Sequence, residues 1–130
     1  MTVKEITPEI AKEEVIETRL SEQVEEAGMI VVHCRCSPPH GGNVRVWPAT
    51  FLLDRDSPAE SKLLHVFGVS VAPEWTHIPP KGTMIFTLVF EPLPKTCTVF
   101  NFVEKIPLPG AFRVDNIPRN KADVYRITIM

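Results

Sequence analysis

No apolar run in the 130-residue chain approaches the ~20 residues that a bilayer-crossing helix requires. Glycine is scarce, with six residues, and no G-x-G-x-x-G or Walker pattern occurs among them. A backbone loop for cradling nucleotide phosphates is therefore missing. The G-x-S-x-G turn that raises a nucleophilic serine is missing as well. So is any Asn-X-Ser/Thr acceptor. Three cysteines, an odd number, argue against a disulfide framework and fit a reduced compartment. A net charge of -2 creates no field that would draw in nucleic acid or an anionic membrane. Residues 1–28 contain no apolar stretch of the kind a signal peptide needs. The expectation is a cytoplasmic protein without cofactor, nucleic-acid partner or membrane partner.

Proline, by contrast, is plentiful at thirteen residues. It cannot donate to a sheet ladder and so marks turns, edges and strand ends. Between the prolines, apolar residues recur with period two, the signature of half-buried strands. "TMIFTLVFE", residues 83–91, is the clearest case, with Met84, Phe86, Leu88 and Phe90 on one face. Ile85 and Val89 make the other face partly apolar too, as expected of a central strand. Further strands are expected at 28–36, 43–54, 61–67, 97–104, 111–115 and 123–129. The segments "SPPHGG", "RDSPAE", "APEWTHIPPKG", "EPLPK", "PLPG" and "IPRN" supply turn and loop chemistry between them. About seven or eight short strands in one domain, residues 1–130, point to an all-β sandwich or barrel.

The N-terminal segment differs in charge. Residues 1–27 hold eight acidic and three basic side chains, and the first fourteen form an acidic lead-in open to helix or disorder. Over residues 8–24 helical and alternating patterns compete. Thr7 and Pro8 would begin a helix and Gly28 would stop it, whereas "VIETRLSEQ" also alternates.

Four blocks, "VRVWPATFLLD", "SKLLHVFGVSVAPEW", "FTLVFEPLPK" and "FRVDNIPRNKADVYRI", together with "FNFVEKIP", resemble a group of small bacterial β-sandwich domains without an assigned activity. The resemblance covers residues 16–129. It implies an immunoglobulin-like antiparallel β-sandwich whose first strand is 15–22, and it brings no catalytic motif.

Candidate chemistry is confined to a few places. "HCRCSPPH", residues 33–40, offers Cys34, Cys36 and His40 as zinc ligands, with Cys97 or another histidine as a fourth. Structural zinc normally adds a second close cysteine pair downstream, and none exists. On a strand, Cys34 and Cys36 share a face with Ile30 and Val32, so the pattern favours small apolar core residues. A cysteine nucleophile would need a neighbouring base and a lowered thiol pKa, and no histidine has diagnostic spacing. Asp54 and Asp56 in "DRDSPAE" read as a polar turn rather than a calcium loop. Trp47, Trp75 and His77 are candidates for binding a small ligand, a carbohydrate or a protein partner, since exposed aromatic rings stack and anchor. The alternative is that each indole caps the sandwich. The apolar second face of 83–91, with Trp47 nearby, suggests a contact surface that a symmetric homodimer would cover. The resulting expectation is a non-enzymatic interaction module, self-associating, ahead of a ligand-binding module and of a Cys/His site.

Overall fold

The computed structural model describes residues 28–129. The expected strand at 15–22, the helix-or-strand choice over 8–24 and the acidic segment 1–14 lie outside the described residues. Those residues form nine strands and no helix. They are β1 (Ile30–Cys36), β2 (Gly42–Val44), β3 (Thr50–Asp54), β4 (Glu60–Phe67), β5 (Thr76–Ile78), β6 (Met84–Phe90), β7 (Val99–Glu104), β8 (Arg113–Pro118) and β9 (Val124–Thr128). Seven make one sheet in the order β8-β7-β3-β4-β6-β1-β9, and β2 and β5 form a separate ribbon.

The alternation of "TMIFTLVFE" has its physical origin in β6. This strand pairs with β4 on one side and β1 on the other, so its two faces see different surroundings. Phe86 is 2% exposed, and Leu88 and Phe90 are fully enclosed in the main core. β4 is shared between two halves of the sheet. Residues 60–62 pair with β3, and from Leu63 onward the partner is β6, with a register shift between Leu63 and His65. Such a bulge sharpens the local twist and lets one strand turn a corner. The sheet consequently curls so that its halves face each other. Phe90 on β6 meets Phe102 on β7 edge to face at 6.0 Å, and Phe100 on β7 meets Tyr125 on β9 at 4.9 Å. Cys34 and Cys36 fill this core beside Ile30 and Val32.

Two expectations need correction. The strands are not all antiparallel: β1 and β9 run parallel, in register Val31↔Val124 to Arg35↔Thr128. A parallel pair needs a long crossover, and here the whole chain between β1 and β9 provides it. Hydrogen bonds from Val31 N to Asp123 O (2.9 Å) and from Ile129 N to Arg35 O (3.0 Å) extend the pairing at both ends. Period-two patterning carries no information on direction, so it could not show this. The second correction concerns 43–54, which is two strands in two sheets. Pro48 cannot donate, and a turn closes there when the Thr50 hydroxyl donates to the Trp47 carbonyl at 2.6 Å. The displaced first half pairs instead with β5, inside the segment expected to be loop. Gly41 makes this possible: its φ is +72°, and a Cβ there would sit 2.6 Å from the Ile78 carbonyl oxygen.

Candidate functional site

Beyond β2 the chain stays extended, and Val46 forms an isolated bridge with Val71. Val44 and Val46 are buried, so Asn43, Arg45 and Trp47 point the other way. Asn43 pairs in register with His77, which puts Trp75 and His77 on that same side. The three residues singled out from sequence thus share one strip. Its centre is a residue that the sequence reading did not select. The Arg45 guanidinium lies 3.8 Å from the Trp75 ring centroid and 4.7 Å from that of Trp47. Its Nη1 donates to the Pro73 carbonyl at 2.9 Å, while its Nε is buried with no hydrogen-bond partner among the described residues. Arginine favours such stacking because its cation is planar and weakly hydrated. The clue was present in "VRVWP", where Arg45 and Trp47 fall in phase. Trp75 remains 55% exposed and Trp47 is half-buried. His77 Nδ1 and Asn43 Oδ1 are 3.4 Å apart at the exposed end of the strip.

Glu104, at the end of β7, anchors the strip from beneath the surface. Its carboxylate accepts from Trp47 N at 3.3 Å and Phe112 N at 3.0 Å. Burial pushes its pKa up, opposed by these two amides and by the charge of Arg45.

The cysteines are placed differently. Cys34 and Cys36 are fully enclosed, whereas His40 is exposed on the turn after β1. Burial pushes both thiols up, and Cys36 adds to the effect on Cys34. Cys97 is buried elsewhere, where burial and the nearby Asp54 also raise it. Burial of this kind disfavours the thiolate, the form in which a cysteine attacks or binds metal. Among the described residues no group of three or more His, Cys, Asp or Glu side chains could hold a metal ion. Asp54 organises its turn, accepting from the Ser57 hydroxyl at 2.6 Å and Asp56 N at 3.0 Å. Those two bonds, Ser57 first, hold its pKa below the ordinary value.

Exposed apolar side chains also border two hollows of the surface. Val89 on the second face of β6 is buried together with Val31, and Met29 and Val124 pack on the pair. Ile85 is 48% exposed and borders a hollow of about 220 Å³ with Arg35 and Arg126. A larger groove, about 410 Å³, follows β4 and is lined by Pro48, Leu64, Val66, Phe67 and Val71 among others. Leu64 is 45% exposed, and Phe67 and Val71 are each 37% exposed. Among the described residues, β4 has registered partners along this stretch only on its β6 side, because the β3 pairing ends at Lys62. Sequence patterning gave 61–67 as a strand and missed the groove, because period-two patterning does not show where a strand changes partners. The adjacent Leu63 and Leu64, which break strict alternation, were the available signal. Comparison of the chain with protein-family models, curated proteins and solved structures finds no match.

Proposed function

We propose that the chain is a non-enzymatic, immunoglobulin-like β-sandwich that works as a self-associating interaction module. The observation that carries this reading is the apolar groove along β4. Isolated surface apolar side chains are ordinary, but clustered Leu64, Phe67 and Val71, beside a strand stretch that has a partner on one side only among the described residues, form a contact surface. The sandwich reading is supported by the two facing halves and by the strand that crosses between them. A further support is Tyr125, whose hydroxyl accepts from Asn120 N at 2.9 Å and donates to Asp123 at 2.8 Å. A tyrosine bonded back to backbone a few residues upstream is a feature of immunoglobulin-like domains.

The other function classes fit the geometry less well. A stacking site for a sugar needs an open slot or face between aromatic rings, and the Arg45 guanidinium fills the space between Trp47 and Trp75. Cys34, Cys36 and His40 do not converge on one position. Sedimentation velocity of the full chain across a micromolar dilution series tests the proposal. The expected result is a concentration-dependent dimer. A monomer at every concentration, with indole fluorescence that responds to added oligosaccharide, would contradict it in favour of the ligand-binding module.

A further inference from the structure

We propose that a proton on Glu104 loosens the Trp47–Arg45–Trp75 stack, so that the strip is held in place at neutral pH and released in acid. The inference goes beyond the self-association reading and does not depend on it.

Glu104 is 6% exposed, and its two carboxylate oxygens serve different segments. Oε1 accepts from Phe112 N at 3.0 Å, and Oε2 accepts from Trp47 N at 3.3 Å. The first bond is backed by a second contact, since Glu104 N donates to the Phe112 carbonyl at 3.0 Å. The other bond reaches the strip. Hydrogen bonds to an ionised carboxylate are roughly twice as strong as neutral ones. A proton from solvent takes the oxygen with the longer and weaker bond, which is Oε2. That oxygen becomes a hydroxyl, and Trp47 N loses its charge-assisted acceptor.

The same proton removes a negative charge that acts on Arg45. Arg45 is the hub of the stack, 4.7 Å from the Trp47 centroid and 3.8 Å from that of Trp75. Other charged groups around Glu104 are engaged elsewhere. Lys105 pairs with Glu60 at 2.9 Å, and Arg113 pairs with Asp115 at 2.8 Å. On β3 the residue in register with Glu104 is Thr50, which is uncharged. His77, beside Asn43, and Glu74, next to Trp75, are further ionisable side chains of the strip.

Two influences on Glu104 oppose each other. Burial disfavours its charged form and is the larger. The amides of Phe112 and Trp47 and the charge of Arg45 favour that form. Protonation therefore relieves a buried charge while giving up contacts to the strip. The fold tolerates the proton, and the loss falls on the stack. Trp75 is 55% exposed, so a change at Arg45 alters the outer surface of the strip.

The test is proton–nitrogen NMR of the full chain from about pH 8 to about pH 4. The Trp47 backbone amide is expected to move upfield as its acceptor is lost. Both indole N–H signals are expected to move with the same midpoint, above the ordinary glutamate value. Amides of β6 are expected to stay still, and a step that they share is unfolding and overturns the inference. In Glu104→Gln, whose amide resembles the protonated acid, the transition is expected to vanish. In His77→Gln and Glu74→Gln it is expected to persist. A Trp47 amide that titrates while both indole signals stay fixed overturns the inference, because the stack then does not follow. Indole signals that keep the same midpoint in Glu104→Gln overturn it too, since another group is then responsible. If Glu104→Gln fails to fold, the wild-type midpoints decide. Coincident midpoints that survive His77→Gln and Glu74→Gln support the inference, and separate midpoints overturn it.

Discussion

Glu104 is a buried acid whose partners are mostly backbone, and this makes it costly to remove. Replacing it with alanine leaves Trp47 N and Phe112 N without their acceptor. Each unsatisfied buried amide costs about 1–3 kcal/mol, so Glu104→Ala is expected to lower the urea midpoint clearly. Asp54 behaves oppositely with pH. Its folded pKa lies below the ordinary value, so between the two values the unfolded chain binds more protons than the folded one. The stability it contributes is present above the ordinary carboxylate range and is lost as pH falls through the folded pKa. Asp54→Ala should therefore destabilise at pH 7, and the difference from wild type should shrink as denaturation is repeated toward pH 3. Glu104 is raised, so its contribution has the reverse sign: stability falls as pH climbs from the ordinary glutamate value through the raised one. Tyr125→Phe removes one donated and one accepted hydrogen bond. A net cost of about 0.5–1.5 kcal/mol per bond is expected in the same denaturation experiment.

Among the elements, β6 was the most legible from sequence and β4 the least. Strict alternation in "TMIFTLVFE" identified both a central strand and its core face, and Phe86 and Leu88 are buried accordingly. Phe86→Ala is expected to cost ~3–5 kcal/mol and Leu88→Ala ~2–5 kcal/mol, measured by equilibrium unfolding. A loss typical of surface positions, below about 0.5 kcal/mol, would mean that neither side chain is in the core. The strand 43–54 was legible only in part. Its apolar phase was correct, with Val44 and Val46 inward, but phase does not reveal that Pro48 sends the two halves into different sheets. β5 is three residues long and sits among prolines, so no pattern could announce it. For β4 the decisive facts are a bulge and the loss of its β3 partner after Lys62. Both depend on strands distant in sequence. The cysteine pair was legible, because alternation alone put Cys34 and Cys36 on the inward face. The role of Arg45 between two indoles was not, since Trp75 is brought to it by the β2–β5 ribbon.

At the scale of the whole molecule, the described residues form one curled seven-stranded sheet whose middle strand, β4, passes from β3 to β6. The parallel β1–β9 pair closes one end with a contact between the beginning and end of the described chain. The Arg45 strip and the β4 groove approach each other through the Val46–Val71 bridge, so the residues expected to bind and the surface proposed to self-associate lie in one region. A dimer formed there would leave Ile85, Arg35 and Arg126 outside the interface. The most direct measurement mixes a copy labelled for amide detection with a copy labelled for side-chain detection, and records only nuclear Overhauser contacts between molecules. The expected result is contacts linking amides of residues 64–67 in one copy to Leu64, Val66 and Phe67 in the other. Intermolecular contacts confined to Ile85 and its neighbours, or none at concentrations where the dimer is formed, would contradict the β4 interface.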